Sequence, residues 1–64
     1  LTSAPHYEGT KELLTIASGR ATLVSGDNST ELSEGDSAHY RGDLKHSIIN
    51  AGDTELVCYL VVTG

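Results

Sequence analysis

Phenylalanine, tryptophan and methionine are absent from the 64 residues, and the only aromatic residues are three tyrosines. A core must therefore be assembled from Leu, Ile, Val and Ala. Proline and cysteine each occur once, so no internal disulfide can staple a chain whose size lets it bury only about 60% of its unfolded surface. The lone Cys58 fits a reducing, cytoplasmic setting. Cations are also scarce: 4 Lys and Arg against 9 Asp and Glu leave a net charge of −5 with the His neutral. Such a surface repels phosphate backbones, which excludes direct nucleic-acid contact by this segment. No apolar run reaches half of the roughly 20 residues that a membrane span needs, so no membrane partner is expected. The opening Leu1-Thr2-Ser3-Ala4-Pro5 has neither the basic start nor the apolar centre of a signal peptide, and it carries no initiating Met. The sequence reads as an excerpt from a longer chain.

What is present is regular punctuation. Glycines fall at positions 9, 19, 26, 35, 42, 52 and 64, and the segments between them are short, rich in β-branched residues and flanked by Asp, Asn or Ser. Turn signals at this spacing predict an all-β domain, a sandwich or barrel. Strands are expected at 12–18, 20–25, 29–32, 37–40, 46–50 and 54–62, with Gly19 closing a hairpin between the first two. No segment has the i, i+3, i+4, i+7 spacing of an independent helix; residues 10–17 come nearest, but lack a C-terminal cap before Gly19.

The last of these strands is apolar on both sides: Leu56, Cys58, Leu60 and Val62 alternate with Val57, Tyr59 and Val61. Either it is a sandwich strand with Val57 and Tyr59 partly exposed, or further chain or a second subunit covers it, because a bare two-faced strand invites aggregation.

Some polar residues fit a purely structural role poorly. Period-two alternation puts Glu12 on the same side as Leu14 and Ile16, aiming a carboxylate along the interior face. That is costly unless the group is paired, hydrogen-bonded or bound to a metal. At the strand mouth it can also reach water, Lys11 or Arg20. His6 and Glu8 are two apart and share one side of an extended backbone; His46 opens a strand with Ile48 and Asn50 on its face. Imidazole and carboxylate are donors suited to Zn, Fe, Mn, Ni or Cu. His39 lies outside any such spacing and reads as structural. There is no phosphate-binding Gly-x-x-x-x-Gly-Lys loop, no Gly-x-Ser-x-Gly elbow and no paired-Cys zinc spacing. Cys58, inside an apolar strand, reads as inert packing.

Taken together, turns and polar residues resemble the two motifs of the cupin superfamily. Glu12 to Gly19 matches E-x6-G, and Gly35 to Asn50 matches G-x5-P-x-G-x2-H-x3-N at Gly35, His46 and Asn50. Arg41 stands in place of the motif's Pro and Asp43 in place of its second Gly. The resemblance extends over nearly the whole chain and implies a cupin-type double-stranded β-helix, a jelly-roll barrel, lacking its early strands. The first motif, G-x5-H-x-H-x3-4-E-x6-G, would begin one residue before Leu1. In the family its two His, its Glu and the His of the second motif bind a metal. The match thus implies His6, Glu12 and His46 as ligands of a divalent transition metal (Zn, Fe, Mn or Ni), with Glu8 in place of the second His. In a second register His6 is itself the second His and Ala4 stands at the first. Either way one ligand is not His, and many such cupins hold no metal.

His6-Tyr-Glu-Gly-Thr-Lys-Glu12 and Ser18-Gly19 most resemble the C-terminal sensor domain of Xre-type helix-turn-helix transcriptional regulators. That resemblance implies an effector domain that binds a small polar ligand over a pocket floored by Leu14, Ile16 and Ile48. It would modulate DNA binding by a domain outside this sequence, and a homodimer is expected. The rival expectation is a metal-dependent cupin enzyme, a dioxygenase or sugar isomerase, with Glu8 as its base in the second register.

Overall fold

The computed structural model describes residues 2–3 and 9–64. Seven strands follow one another: β1 (Thr2–Ser3), β2 (Lys11–Ser18), β3 (Arg20–Ser25), β4 (Asn28–Ser33), β5 (Ser37–Arg41), β6 (His46–Asn50) and β7 (Val57–Thr63). They form two antiparallel sheets, one ordered β1-β6-β3-β4 and the other β5-β2-β7. Among the described residues there is no helix, and so none long and apolar enough to cross a membrane. This all-β architecture of two antiparallel sheets agrees with the jelly-roll expectation drawn from the motif spacing.

The chain passes from sheet to sheet as it advances, and this corrects one expectation. Residues 12–18 and 20–25 do not form a hairpin: β2 and β3 lie in different sheets. Gly19 is the corner between them, at φ +89°, and a Cβ there would sit 2.8 Å from the Glu55 carbonyl oxygen. Only glycine combines that backbone sign with that closeness. The hairpin is the next one, β3 to β4, where Ser25 pairs with Asn28 around the two-residue turn Gly26-Asp27. From β4 to β5 the chain crosses back. Asp36 closes that corner, its carboxylate accepting from the Ser33 N–H at 2.9 Å, while the Gly35 N–H donates to the Ile16 carbonyl at 2.8 Å.

The final strand begins at Val57, not Thr54. Asn50 delays it: its side-chain amide donates to the Thr54 carbonyl at 2.9 Å and its side-chain oxygen accepts from the Gly52 N–H at 3.0 Å. A register shift between Ile16 and Ser18 marks where β7 joins β2. The inward residues of both sheets, Leu14, Ile16, Ala21, Leu23, Leu32 and Ile48, make the core. The outward and edge positions of β7 are open, with Tyr59 65% and Val61 52% exposed. The described strand is therefore uncovered to a greater extent than a sandwich strand with Val57 and Tyr59 partly exposed.

Candidate functional site

Glu12 and His46 stand on different sheets, yet both are buried, at 1% and 3% exposure. Glu12 occupies the inward side of β2 one step beyond Leu14, and His46 the inward side of β6 one step before Ile48. The two side chains converge, with His46 Nε2 3.4 Å from Glu12 Oε1. Glu12 thus neither reaches water nor pairs with Arg20, whose guanidinium donates to the Ala51 carbonyl at 3.0 Å.

The orientation of the imidazole follows from its other nitrogen. His46 Nδ1 lies 2.8 Å from the Leu44 carbonyl oxygen. A carbonyl only accepts, so Nδ1 carries the hydrogen and donates. Nε2 is then the nitrogen presented to Glu12. Fixing Nδ1 on a backbone carbonyl is the arrangement typical of metal-binding histidines.

A third residue, not singled out by sequence reasoning, completes the cluster. Tyr40 is the cross-strand partner of Glu12 in the β2–β5 ladder, and its hydroxyl donates to Glu12 Oε1 at 2.7 Å. Its ring leans on the His46 ring, with centroids 5.2 Å apart at 56°. Burial, and then the hydrogen bond to the Glu12 carboxylate, hold the Tyr40 proton well above the ordinary tyrosine range, so Tyr40 remains a donor. Tyr40 also lines a cleft of about 270 Å³ whose walls include Leu23, Ser25, Asn28, Thr30 and Leu44.

Gly42 is the second residue that sequence reasoning missed. A Cβ there would lie 2.7 Å from Glu12 Oε2 and 2.8 Å from Thr10 Cγ2, and its N–H donates to the Thr10 carbonyl at 2.8 Å. The backbone passes so close to the carboxylate that a side chain would displace it. The signal was present one residue away, since the second motif calls for glycine at position 43. Asp43 stands there instead. It takes Arg41 in two hydrogen bonds of 2.9 and 2.7 Å and accepts from the Gly9 N–H at 3.4 Å. The Arg41 hydrogen bond in particular holds the Asp43 carboxyl below its ordinary range.

Of the expected ligands, the structure brings Glu12 and His46 together, whereas His6 and Glu8 lie outside the described residues. Among the described residues no group of three or more His, Cys, Asp or Glu forms. The pair itself suits a metal in donor chemistry: one carboxylate oxygen and one imidazole nitrogen with its tautomer fixed, separated by the span of two ligand atoms on a tetrahedral ion with bonds of about 2.0 Å. Leu14, Ile16 and Ile48 are packed in the core at 0 to 4% exposure, in line with Glu12 and His46 along their strands. His39 is exposed on β5, and Asn50 serves the turn before β7.

No curated protein and no solved structure matches the sequence. A family model does: the cupin domain aligns with residues 2–63. With that match running over nearly its whole length, and its strands arranged in two antiparallel sheets, this chain belongs to the cupin family.

Proposed function

We propose that this chain is the ligand-sensing domain of a bacterial transcriptional regulator, acting in the cytoplasm. In this reading it takes a divalent transition metal at His6, Glu12 and His46, with Glu8 able to join, and a small polar ligand beside it. DNA contact belongs to a helix-turn-helix domain outside this sequence. The single observation that carries the binding reading is the Glu12–His46 pair at 3.4 Å, both members almost wholly buried. Placing a carboxylate and an imidazole in an interior otherwise built of Leu, Ile and Ala costs stability that apolar residues would not cost. A binding role accounts for that cost. When bound, an ion supplies a positive charge that draws a ligand oxygen toward the barrel mouth.

The acidic composition supports a domain that leaves DNA to another. The regulator attribution follows the residue pattern of the first motif and not the chemistry of the site. The uncovered apolar β7 supports a homodimer, in which a second copy covers Tyr59 and Val61; sedimentation velocity tests this. A sensor shifts its regulator only by the difference in ligand affinity between two states, typically about 1–3 kcal/mol.

The decisive experiment measures the metal content of chelator-free protein, with Zn and Mn titrations of the parent and of His46→Ala. One ion per chain in the parent, lost in the variant, supports the reading. Metal retained by the variant removes His46 from the site. A helix-turn-helix encoded upstream of Leu1 supports the regulator context, and a second barrel there overturns it.

A further inference from the structure

We propose that Tyr40 is the positioning residue of this site: its hydroxyl fixes the rotamer of Glu12 so that Oε1 faces His46 Nε2. The proposal rests on the metal-binding reading above but adds a residue that the metal motifs do not contain. Three observations carry it. The Tyr40 hydroxyl donates to Oε1, the oxygen that faces His46, at 2.7 Å. The β2–β5 register places Tyr40 directly opposite Glu12, so the bond is a cross-strand contact set by backbone pairing. The tilted contact with the His46 ring, at 5.2 Å, lets one side chain restrain both donors.

The far oxygen lies against Gly42, where a Cβ would come within 2.7 Å of Oε2. Oε1 has lone pairs enough to accept from Tyr40 and still face His46. The hydroxyl therefore acts behind the ligand atom and does not compete for it. Removing such a supporting hydrogen bond typically weakens metal affinity about 10- to 100-fold.

The test is Co²⁺ titration followed by visible absorption, with the parent, Tyr40→Phe and the exposed control Tyr59→Phe. The expected result is affinity at least about tenfold weaker in Tyr40→Phe, with an altered cobalt spectrum, while Tyr59→Phe matches the parent. A purely structural Tyr40 would lower the denaturation midpoint and leave affinity and spectrum unchanged; that outcome overturns the proposal, as does tighter binding. A parent chain that binds no cobalt overturns the metal reading and with it the proposal, whereas unchanged affinity in Tyr40→Phe beside a cobalt-binding parent overturns the proposal alone. If Tyr40→Phe does not fold, the double variant Tyr7→Phe, Tyr59→Phe leaves Tyr40 as the only tyrosine. A near-ultraviolet tyrosine difference signal on adding cobalt then supports the proposal, and none overturns it.

Discussion

Leu14 and Leu60 are directly opposite each other across the β2–β7 ladder, yet Leu14 is wholly buried and Leu60 is 43% exposed. Residue type and strand face are the same; position in the sheet is not. β2 runs between β5 and β7, and its inward side meets Ala21, Leu23 and Ile48 of the other sheet. β7 is an edge, and its inward side opens progressively from Cys58 to Leu60 and Val62. The lesson is that a strand's central or edge place decides how much its apolar residues contribute. Leu14→Ala is expected to cost about 2–5 kcal/mol in urea denaturation, since it leaves a cavity in a closed core. Leu60→Ala is expected to cost about 1 kcal/mol or less, the transfer value of a half-exposed side chain. Equal costs would break the comparison and would mean that a second copy covers β7 in solution.

The same two strands differ more sharply one step along. Glu12 pairs with Val62 on one side and Tyr40 on the other. The carboxylate is buried and the valine is 49% exposed, the reverse of their solvation preferences. Around the carboxylate three described residues are committed: Tyr40 donates, His46 faces it and Gly42 makes room. Gly42→Ala sharpens this point. Its methyl group would overlap Glu12 Oε2 and Thr10 Cγ2, so the expected cost is about 1–3 kcal/mol of overpacking, with loss of metal binding. Denaturation and cobalt titration of one variant check both. Metal binding retained at parent affinity would show that Glu12 can move aside without harm to the site.

These contrasts also show what could be read from the sequence. Period-two alternation gave the inward face of β2 correctly, Glu12, Leu14 and Ile16 included, because side-chain direction along a strand is a local property. The turns at Gly26, Gly35 and Gly52 were legible for the same reason. Which strands pair is not local. Gly19 looked like a hairpin turn because Ser-Gly-Arg between two β-rich runs suits one, and only the packing of Glu55 against it shows a corner between sheets. Tyr40 was invisible as a site residue because its role depends on the Glu12–Tyr40 register, which no spacing within one strand encodes. The early start assigned to the last strand failed because the Asn50 side chain holds Thr54 in the preceding turn.

The smallest expected effect concerns Asp43, which follows Gly42 in the turn beside Glu12. Asp43 occupies the position of the motif's second Gly and is held by Arg41, itself 64% exposed along its side chain. That hydrogen bond, the first cause, lowers the Asp43 carboxyl below its ordinary value. A group with a depressed folded value stabilises the fold above the unfolded value, about 3.9 for Asp. This contribution is lost as pH falls through the folded value. Asp43→Asn is therefore expected to be slightly less stable than the parent at neutral pH and to converge with it from about pH 4 downward. Because Arg41 is exposed, added salt screens the pair and narrows the neutral-pH gap. Thermal midpoints measured across that range at low and high salt check the prediction. If parent and variant keep a constant separation down to the most acidic point, Asp43 acts by the shape of its turn and not by its charge.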